Sequence, residues 1–325
     1  MTIRPDHVSV VDPIGPAIDR ARTVLFDPFD LRKWFVIGFS AWLANLGGGQ
    51  GGGSGGRGGG GGPSDFREIP AEVCRGLGHA QDFVTSNLYW IVPIVVLAFV
   101  LIVVITLVVV WLSSRARFTF LYCVAQNKGE FWNPWRQFRD HGNSLFGFRI
   151  VLTIVGFIMV AGFLAPIGVL VYLWKTGAAP GVLAIWGLGV CAVLFFCAVV
   201  VLRLVGLFTQ EFVVPIMYAR TASWVEGWRI LLDLMAFNKA RFILYALFQF
   251  VIWLIIGALV LAAMCFTCGC ACCFLALPYI GTVVTLPIWV FLRAYSLYYL
   301  EQYGPEFHMI VPEPEMAAPL NPYPT

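Results

Sequence analysis

The sequence predicts an all-α fold: a polytopic membrane helical bundle of about six transmembrane helices in three pseudo-repeats. Three observations support this prediction. Apolar residues make up 59% of the 325 residues and charged residues only 12%, whereas soluble domains average about 25% charged residues. Several uncharged stretches are long enough to cross a bilayer, and basic residues collect on alternate connecting segments. This composition excludes a soluble enzyme, a disordered chain and a nucleic-acid-binding protein.

The uncharged stretches give the number of crossings. A helix needs roughly 20 apolar residues to cross about 30 Å of hydrocarbon. Residues 83–114, 150–174 and 176–202 carry no charge, and the uncharged residues 242–292 are long enough for two crossings. Residues 34–46 are a shorter candidate that either spans or re-enters. The predicted spans lie near residues 33–48, 89–113, 149–174, 180–208, 241–266 and 274–299.

The distribution of basic residues predicts the orientation. With six spans and the N-terminus inside, all but four of the 21 lysines and arginines fall on inner segments. The four exceptions are Arg57, Arg67, Arg75 and Lys175. Because basic residues are concentrated in cytoplasmic loops, we expect both termini in the cytoplasm and a multi-pass protein of the cell membrane, the inner or plasma membrane of a bacterium.

An internal repeat organises the chain, in which an interfacial amphipathic helix precedes each helical hairpin. The first copy has an apolar face along residues 17–25. The second begins at Asn133, and the third begins with the capping-box residues Ser223 and Glu226. Such helices either lie flat in the bilayer interface or pack as cytoplasmic caps on the bundle, and both interpretations remain open at this stage.

Each repeated helix carries an arginine beside apolar or aromatic residues, namely Arg22, Arg136 and Arg229. Guanidinium groups at the inner leaflet bind lipid phosphates well, so these three are our candidate lipid-headgroup residues, with membrane lipids as partners. The alternative is that they only set the topology.

No set of residues suggests catalysis. The four histidines lie on separate segments, so neither a metal triad nor a Ser-His-Asp set can be assembled. Arg203, Glu211 and Arg293 lie near inner ends of predicted spans, where we expect them to snorkel to water. The predicted spans therefore contain no series of carboxylates that could relay protons or ions in a coupled pump. We therefore expect no enzyme activity and no cofactor.

Five clustered cysteines are candidate metal ligands: Cys265, Cys268, Cys270, Cys272 and Cys273. Several thiolates at this spacing suit a soft metal, but structural zinc sites pair two separated motifs. Disulfides at the outer surface and packing in a tight turn are the alternatives, and we predict no metal site.

Residues 1–304 are predicted to form a single integral membrane domain. A glycine-rich segment within it and the tail that follows it differ in composition from the rest of the chain. Residues 47–62 are almost all glycine and are predicted to be a flexible outer linker. Residues 305–325 are rich in proline and acidic residues, which predicts a disordered tail and a possible docking segment for protein partners.

The motifs at residues 212–217, Trp228-Arg229, 277–280 and 293–297 resemble those of a family of uncharacterised bacterial multi-span membrane proteins. More distantly, they resemble the membrane domain of glycerophosphodiester phosphodiesterases. The resemblance implies an integral membrane fold of about six helices. It implies no catalysis, because the activity of those fusions belongs to a separate soluble barrel that is absent from this sequence.

The function predicted from the sequence is that of a non-enzymatic integral membrane protein that organises lipid or partner proteins at the inner leaflet. The alternative is a passive transporter or channel for an apolar or lipid-like substrate. A continuous polar path between the hairpins distinguishes the second function from the first.

Overall fold

The computed structural model describes residues 8–27, 29–46, 88–176, 182–267 and 277–311, and all regular structure within these residues is helical. The elements in order are α1 (Ile14–Phe26), α2 (Leu31–Asn45), α3 (Leu88–Gln126), α4 (Trp132–Gln137), α5 (Arg139–Lys175), α6 (Val182–Phe208), a π-helix (Thr209–Val213), α7 (Val214–Arg220), α8 (Trp224–Phe237), α9 (Lys239–Phe266), α10 (Pro278–Val284), α11 (Leu286–Glu301) and a 3-10 turn (Pro305–Phe307).

Four helical segments are long and apolar enough to cross a membrane: Tyr89–Gln126, Arg139–Tyr172, Trp186–Arg220 and Lys239–Phe266. The prediction of an all-helical protein with several membrane-spanning candidates is therefore confirmed. The first and last predicted spans correspond to shorter elements. Helix α2 has 15 residues, about 22 Å, and Thr285 separates α10 from α11.

The long helices expose most of their apolar residues, and α3 and α9 each have a buried end. Helix α3 has 39 residues, about 58 Å, which is twice the hydrocarbon thickness. Its residues 89–108 are almost all exposed, whereas residues 113–121 are buried. Helix α9 likewise buries Phe242 and Tyr245 and exposes most of its later residues. The exposed apolar parts therefore suit lipid, and the buried ends meet in one core, here called the basal core.

Small residues allow the helices of the basal core to approach closely. A Cβ atom on Gly38 of α2 would lie 2.9 Å from Val283 Cγ2 of α10. A Cβ atom on Gly142 of α5 would lie 2.5 Å from Arg115 Cγ of α3. Both distances are too short for a real contact, so only glycine permits these two helix pairs to pack as they do.

The amphipathic helices have different environments. Helix α8 begins as predicted, because the Ser223 side chain caps it by accepting a hydrogen bond from Glu226 N at 3.4 Å. The apolar face of α1, with Ala17 and Val24, is buried and α1 packs against α11. Helix α4 has only six residues. Helix α1 therefore caps the bundle with the face that would otherwise enter the bilayer interface.

The prediction of disorder from residue 305 onward is wrong for residues 305–311. Phe307, Met309 and Ile310 are buried in the basal core, and Val311 N donates a hydrogen bond to Ala125 O at 3.2 Å. Apolar burial offsets the entropy cost that the proline-rich composition suggested. The rest of the predicted tail and the glycine linker at residues 47–62 lie outside the described residues.

Arg20 and Arg22 provide a matched pair for a stability prediction. Arg20 is buried and donates to the carbonyl oxygens of Val124 at 3.1 Å and Ala125 at 2.7 Å, whereas Arg22 is exposed. We expect Arg20→Ala to destabilise the protein by about 1–3 kcal/mol because it leaves the Val124 carbonyl unpaired and leaves the Ala125 carbonyl with only its bond from Val311 N. Arg22→Ala is the control and should change stability by less than about 0.5 kcal/mol. Thermal unfolding in detergent measures both, and equal effects would contradict this prediction.

Candidate functional site

A groove of about 490 Å³ lies between α5 and α6 and ends at α3 and the π-helix. Its walls are mainly apolar, with Leu152, Met159 and Leu202 among them. The other lining residues are Val110, Arg117, Phe148, Arg149, Thr153, Gly156, Val160, Phe195, Val199, Arg203, Gly206, Thr209 and Gln210. A volume of this size lies within the range of pockets that enclose one small ligand.

Three arginines line the groove, one each from α3, α5 and α6: Arg117, Arg149 and Arg203. No acidic side chain is among the described residues that line it. Arg149 Nη1 donates to the hydroxyl oxygens of Ser113 at 3.0 Å and Ser114 at 3.2 Å. These bonds fix the Arg149 guanidinium beside α3, where it lies close enough to Arg117 to repel it. We call this feature the arginine-lined groove.

A fourth arginine close by has a different environment. The Arg115 guanidinium carbon lies 4.4 Å from the ring centroid of Trp111 and 5.7 Å from that of Trp135, within the range of cation–π attraction. Its Nη2 also donates to Asn143 Oδ1 at 3.2 Å. Arg115 thus joins α3, α4 and α5 and does not line the groove.

A second, much smaller cavity of about 20 Å³ lies behind the groove in the basal core. Helices α2, α3, α9 and α11 and the end of α6 with the π-helix contribute to its lining, which comprises Ala44, Asn45, Arg117, Phe120, Leu207, Gln210, Glu211, Gln249, Trp253, Trp289, Leu292 and Arg293. We call it the central cavity. Arg117 and Gln210 line both cavities, so the two are adjacent.

The prediction that Glu211 and Arg293 snorkel to water is wrong. Glu211 is 8% exposed and Arg293 is 5% exposed. Burial disfavours the charge of the Glu211 carboxylate, and attraction to Arg293 and Arg117 opposes part of this cost. The expectation of snorkelling treated each helix end separately, whereas in the bundle these ends are covered by neighbouring helices. Burial of charged groups requires such pairing, since an isolated buried charge is very costly.

The π-helix explains how Arg293 is held. In a π-helix each N–H bonds to the carbonyl five residues earlier, and Val214 N bonds to Thr209 O in this way. The next donor would be residue 215, but Pro215 has no N–H. The carbonyl of Gln210 is therefore available, and it accepts a hydrogen bond from Arg293 Nη1 at 2.8 Å. Pro215, five residues after Gln210, was the sequence signal for the hydrogen bond between Arg293 and the Gln210 carbonyl.

Residues 8–279 match the model of a family of unknown function (DUF7544). The match covers most of the chain. The protein belongs to this family. Comparison with curated proteins and with solved structures gives no match. The resemblance to an uncharacterised family is thereby confirmed. Every residue that lines the arginine-lined groove falls within the DUF7544 match, whereas Trp289, Leu292 and Arg293 of the central cavity follow it.

The arginines predicted to bind lipid headgroups lie elsewhere in this DUF7544 protein. Arg22, Arg136 and Arg229 are exposed on α1, α4 and α8, and none of them lines either cavity. The structure brings Arg117, Arg149 and Arg203 together instead. The groove was not predictable from the sequence, because these three arginines are 32 or more positions apart and converge only when α3, α5 and α6 pack.

The cysteine cluster is described only at Cys265, which is exposed and free. The other four candidates, Cys268, Cys270, Cys272 and Cys273, lie outside the described residues. Within the described part of the chain, no group of three or more histidine, cysteine, aspartate or glutamate side chains is placed to hold a metal ion.

Proposed function

We propose that this protein is a non-enzymatic integral membrane protein that binds anionic membrane lipid, with the phosphate at the three arginines of the groove and an acyl chain along its apolar walls. The observation that carries this proposal is the convergence of Arg117, Arg149 and Arg203 in one largely apolar groove, whose described lining residues include no acidic side chain. The sequence predicted lipid contact at Arg22, Arg136 and Arg229 on the inner surface. The proposed lipid site is instead the preformed arginine-lined groove.

Charge compensation supports an anionic ligand. Arg117 is 6% exposed, and among the described residues Arg149 and Arg293 repel it while Glu211 attracts it. A buried surplus of positive charge is costly in a medium of low dielectric constant. A phosphate accepts several charge-assisted hydrogen bonds from guanidinium groups, so an anionic headgroup compensates this surplus, and the apolar walls match a hydrocarbon chain.

The topology of the whole chain is part of the same proposal. We propose that the basal core faces the cytoplasm of a bacterial cell, with both termini there, in accordance with the positive-inside rule. In this topology, α2 and the α10–α11 pair add two shorter passages, which gives six crossings in three repeats. The distant resemblance to the membrane domain of glycerophosphodiester phosphodiesterases is consistent with a lipid ligand.

A glycine pair tests the groove without changing any charge. Gly156 lines the groove, where its added Cβ would lie 3.8 Å from Leu202 Cδ1, whereas Gly162 does not line it and has no neighbour within 4 Å. We expect Gly156→Leu to fill the groove and reduce retention of phosphatidylglycerol several-fold in native mass spectrometry. Gly162→Leu, on the same helix, should retain lipid like the wild type. Equal retention by the two variants would contradict the groove as the site.

A comparison of charges distinguishes the groove from the surface arginines. Arg203→Gln removes one exposed groove arginine, whereas Arg22, Arg136 and Arg229 replaced together by Gln remove three charges outside it. We expect the single groove variant to lose more anionic lipid than the triple variant. If only the triple variant loses lipid, the headgroups bind at the surface arginines.

Passive transport of a lipid-like substrate is the second candidate, because the centre of the basal core contains a polar cavity next to the groove. Proteoliposomes with a fluorescent lipid in both leaflets test it: after quenching of the outer leaflet, the protein should render the inner-leaflet lipid accessible. Lipid retention without such transbilayer movement supports binding alone.

A further inference from the structure

Three polar atoms in the central cavity lack hydrogen-bond partners. They are Glu211 Oε2, Gln249 Oε1 and Arg293 Nε, and all three residues line the cavity. Each of these residues is more than nine-tenths buried. Most buried polar atoms in proteins are hydrogen-bonded, so three unpaired atoms around one cavity indicate a ligand that they share.

The chemistry of the three atoms limits what that ligand can be. A carboxylate oxygen and an amide oxygen accept hydrogen bonds, whereas Arg293 Nε donates one. Positive charges on Arg117 and Arg293 disfavour a cation, and the Glu211 carboxylate disfavours an anion. Water both donates and accepts, and it still fits if the Gln249 amide turns and presents its nitrogen.

The size of the cavity agrees with this ligand. A buried water needs roughly 10–15 Å³ of cavity and two to four polar partners. The central cavity measures about 20 Å³ and offers three unpaired atoms.

We propose that the central cavity is a site for an ordered water that donates to Glu211 Oε2 and Gln249 Oε1 and accepts from Arg293 Nε. The water completes the hydrogen bonding of the buried charges and holds Arg293 in place against the Gln210 carbonyl. Since Arg117 and Gln210 line both cavities, this water lies directly behind the arginine-lined groove. The proposal does not depend on lipid binding.

The sign of a stability change tests the water site. Gln249→Leu should displace the water, leave Glu211 and Arg293 unpaired, and lower the melting temperature by several degrees. If the cavity is dry, the same change removes an unpaired buried amide and raises the melting temperature. Tyr245→Phe is the control, because its hydroxyl is also unpaired but does not line the cavity, and it should leave the melting temperature unchanged or higher.

Direct observation tests the site independently of any variant. Electron cryo-microscopy of the full chain, at a resolution that shows other buried waters, should reveal one density peak within hydrogen-bond distance of Glu211, Gln249 and Arg293. The peak should persist when gluconate replaces chloride in the buffer. An empty cavity, or a peak that requires a halide, would overturn the proposal.

Discussion

Replacement of Glu211 by leucine is expected to destabilise the folded protein by about 3 kcal/mol, because it leaves buried guanidinium groups without the negative charge that attracts them. Glu211 is the acidic residue that attracts both Arg117 and Arg293, and Arg117, Glu211 and Arg293 are all buried. Without this carboxylate, two guanidinium groups in the basal core lose the negative charge that attracts them among the described residues. Thermal and denaturant unfolding of the detergent-purified protein measure the effect.

Glu226→Leu is the matched control for this variant. Glu226 is an exposed carboxylate in the first turn of α8, where a negative charge contributes about 0.3–1 kcal/mol through the helix dipole. The double variant Glu211→Leu with Arg293→Leu should be less destabilised than the sum of the two single variants, because it removes both members of a coupled pair. Additive effects would show that Glu211 and Arg293 do not interact.

Substitution of Gly142 by alanine is expected to lower the stability by about 1–3 kcal/mol through overpacking. The added Cβ would lie 2.5 Å from Arg115 Cγ and 3.1 Å from Arg115 Cα, so backbone as well as side-chain atoms must move. The same movement would disturb the contacts of Arg115 with Trp111 and Asn143. The melting temperature of the purified protein is the measurement.

Gly147→Ala makes the chemically identical change further along α5, where no described atom other than those of its chain neighbours and the nearby α5 backbone lies within 4 Å of the added Cβ. Because alanine favours a helix over glycine by about 1 kcal/mol, Gly147→Ala should raise the melting temperature. The two variants are therefore expected to have opposite signs. A rise for Gly142→Ala would mean that α3 and α5 do not pack as closely as described.

Much of the helical architecture was predictable from local patterns. The uncharged stretch at residues 83–114 predicts the apolar part of α3, and the capping-box pair Ser223 and Glu226 predicts the start of α8, because both signals act within one helix. The order at residues 305–311 was not predictable, because the core that buries Phe307 is assembled from distant segments.

The candidate site was not predictable from the same patterns. Arg203, Glu211 and Arg293 were each recognised near the end of a helix, where isolated charged side chains reach water. Two of them are buried instead, because neighbouring helices cover those ends. A sequence shows that a charge lies near a helix end but not what lies beside it.

The sequence by itself determined the environment of this protein, since its long uncharged stretches and few charges are physically suited to lipid rather than water. The tertiary structure alone decided which polar residues meet. The arginine-lined groove and the central cavity join side chains from helices far apart in the chain. Hydropathy is a sum over neighbours in sequence, whereas pairing of charges depends on distances between helices that only packing sets.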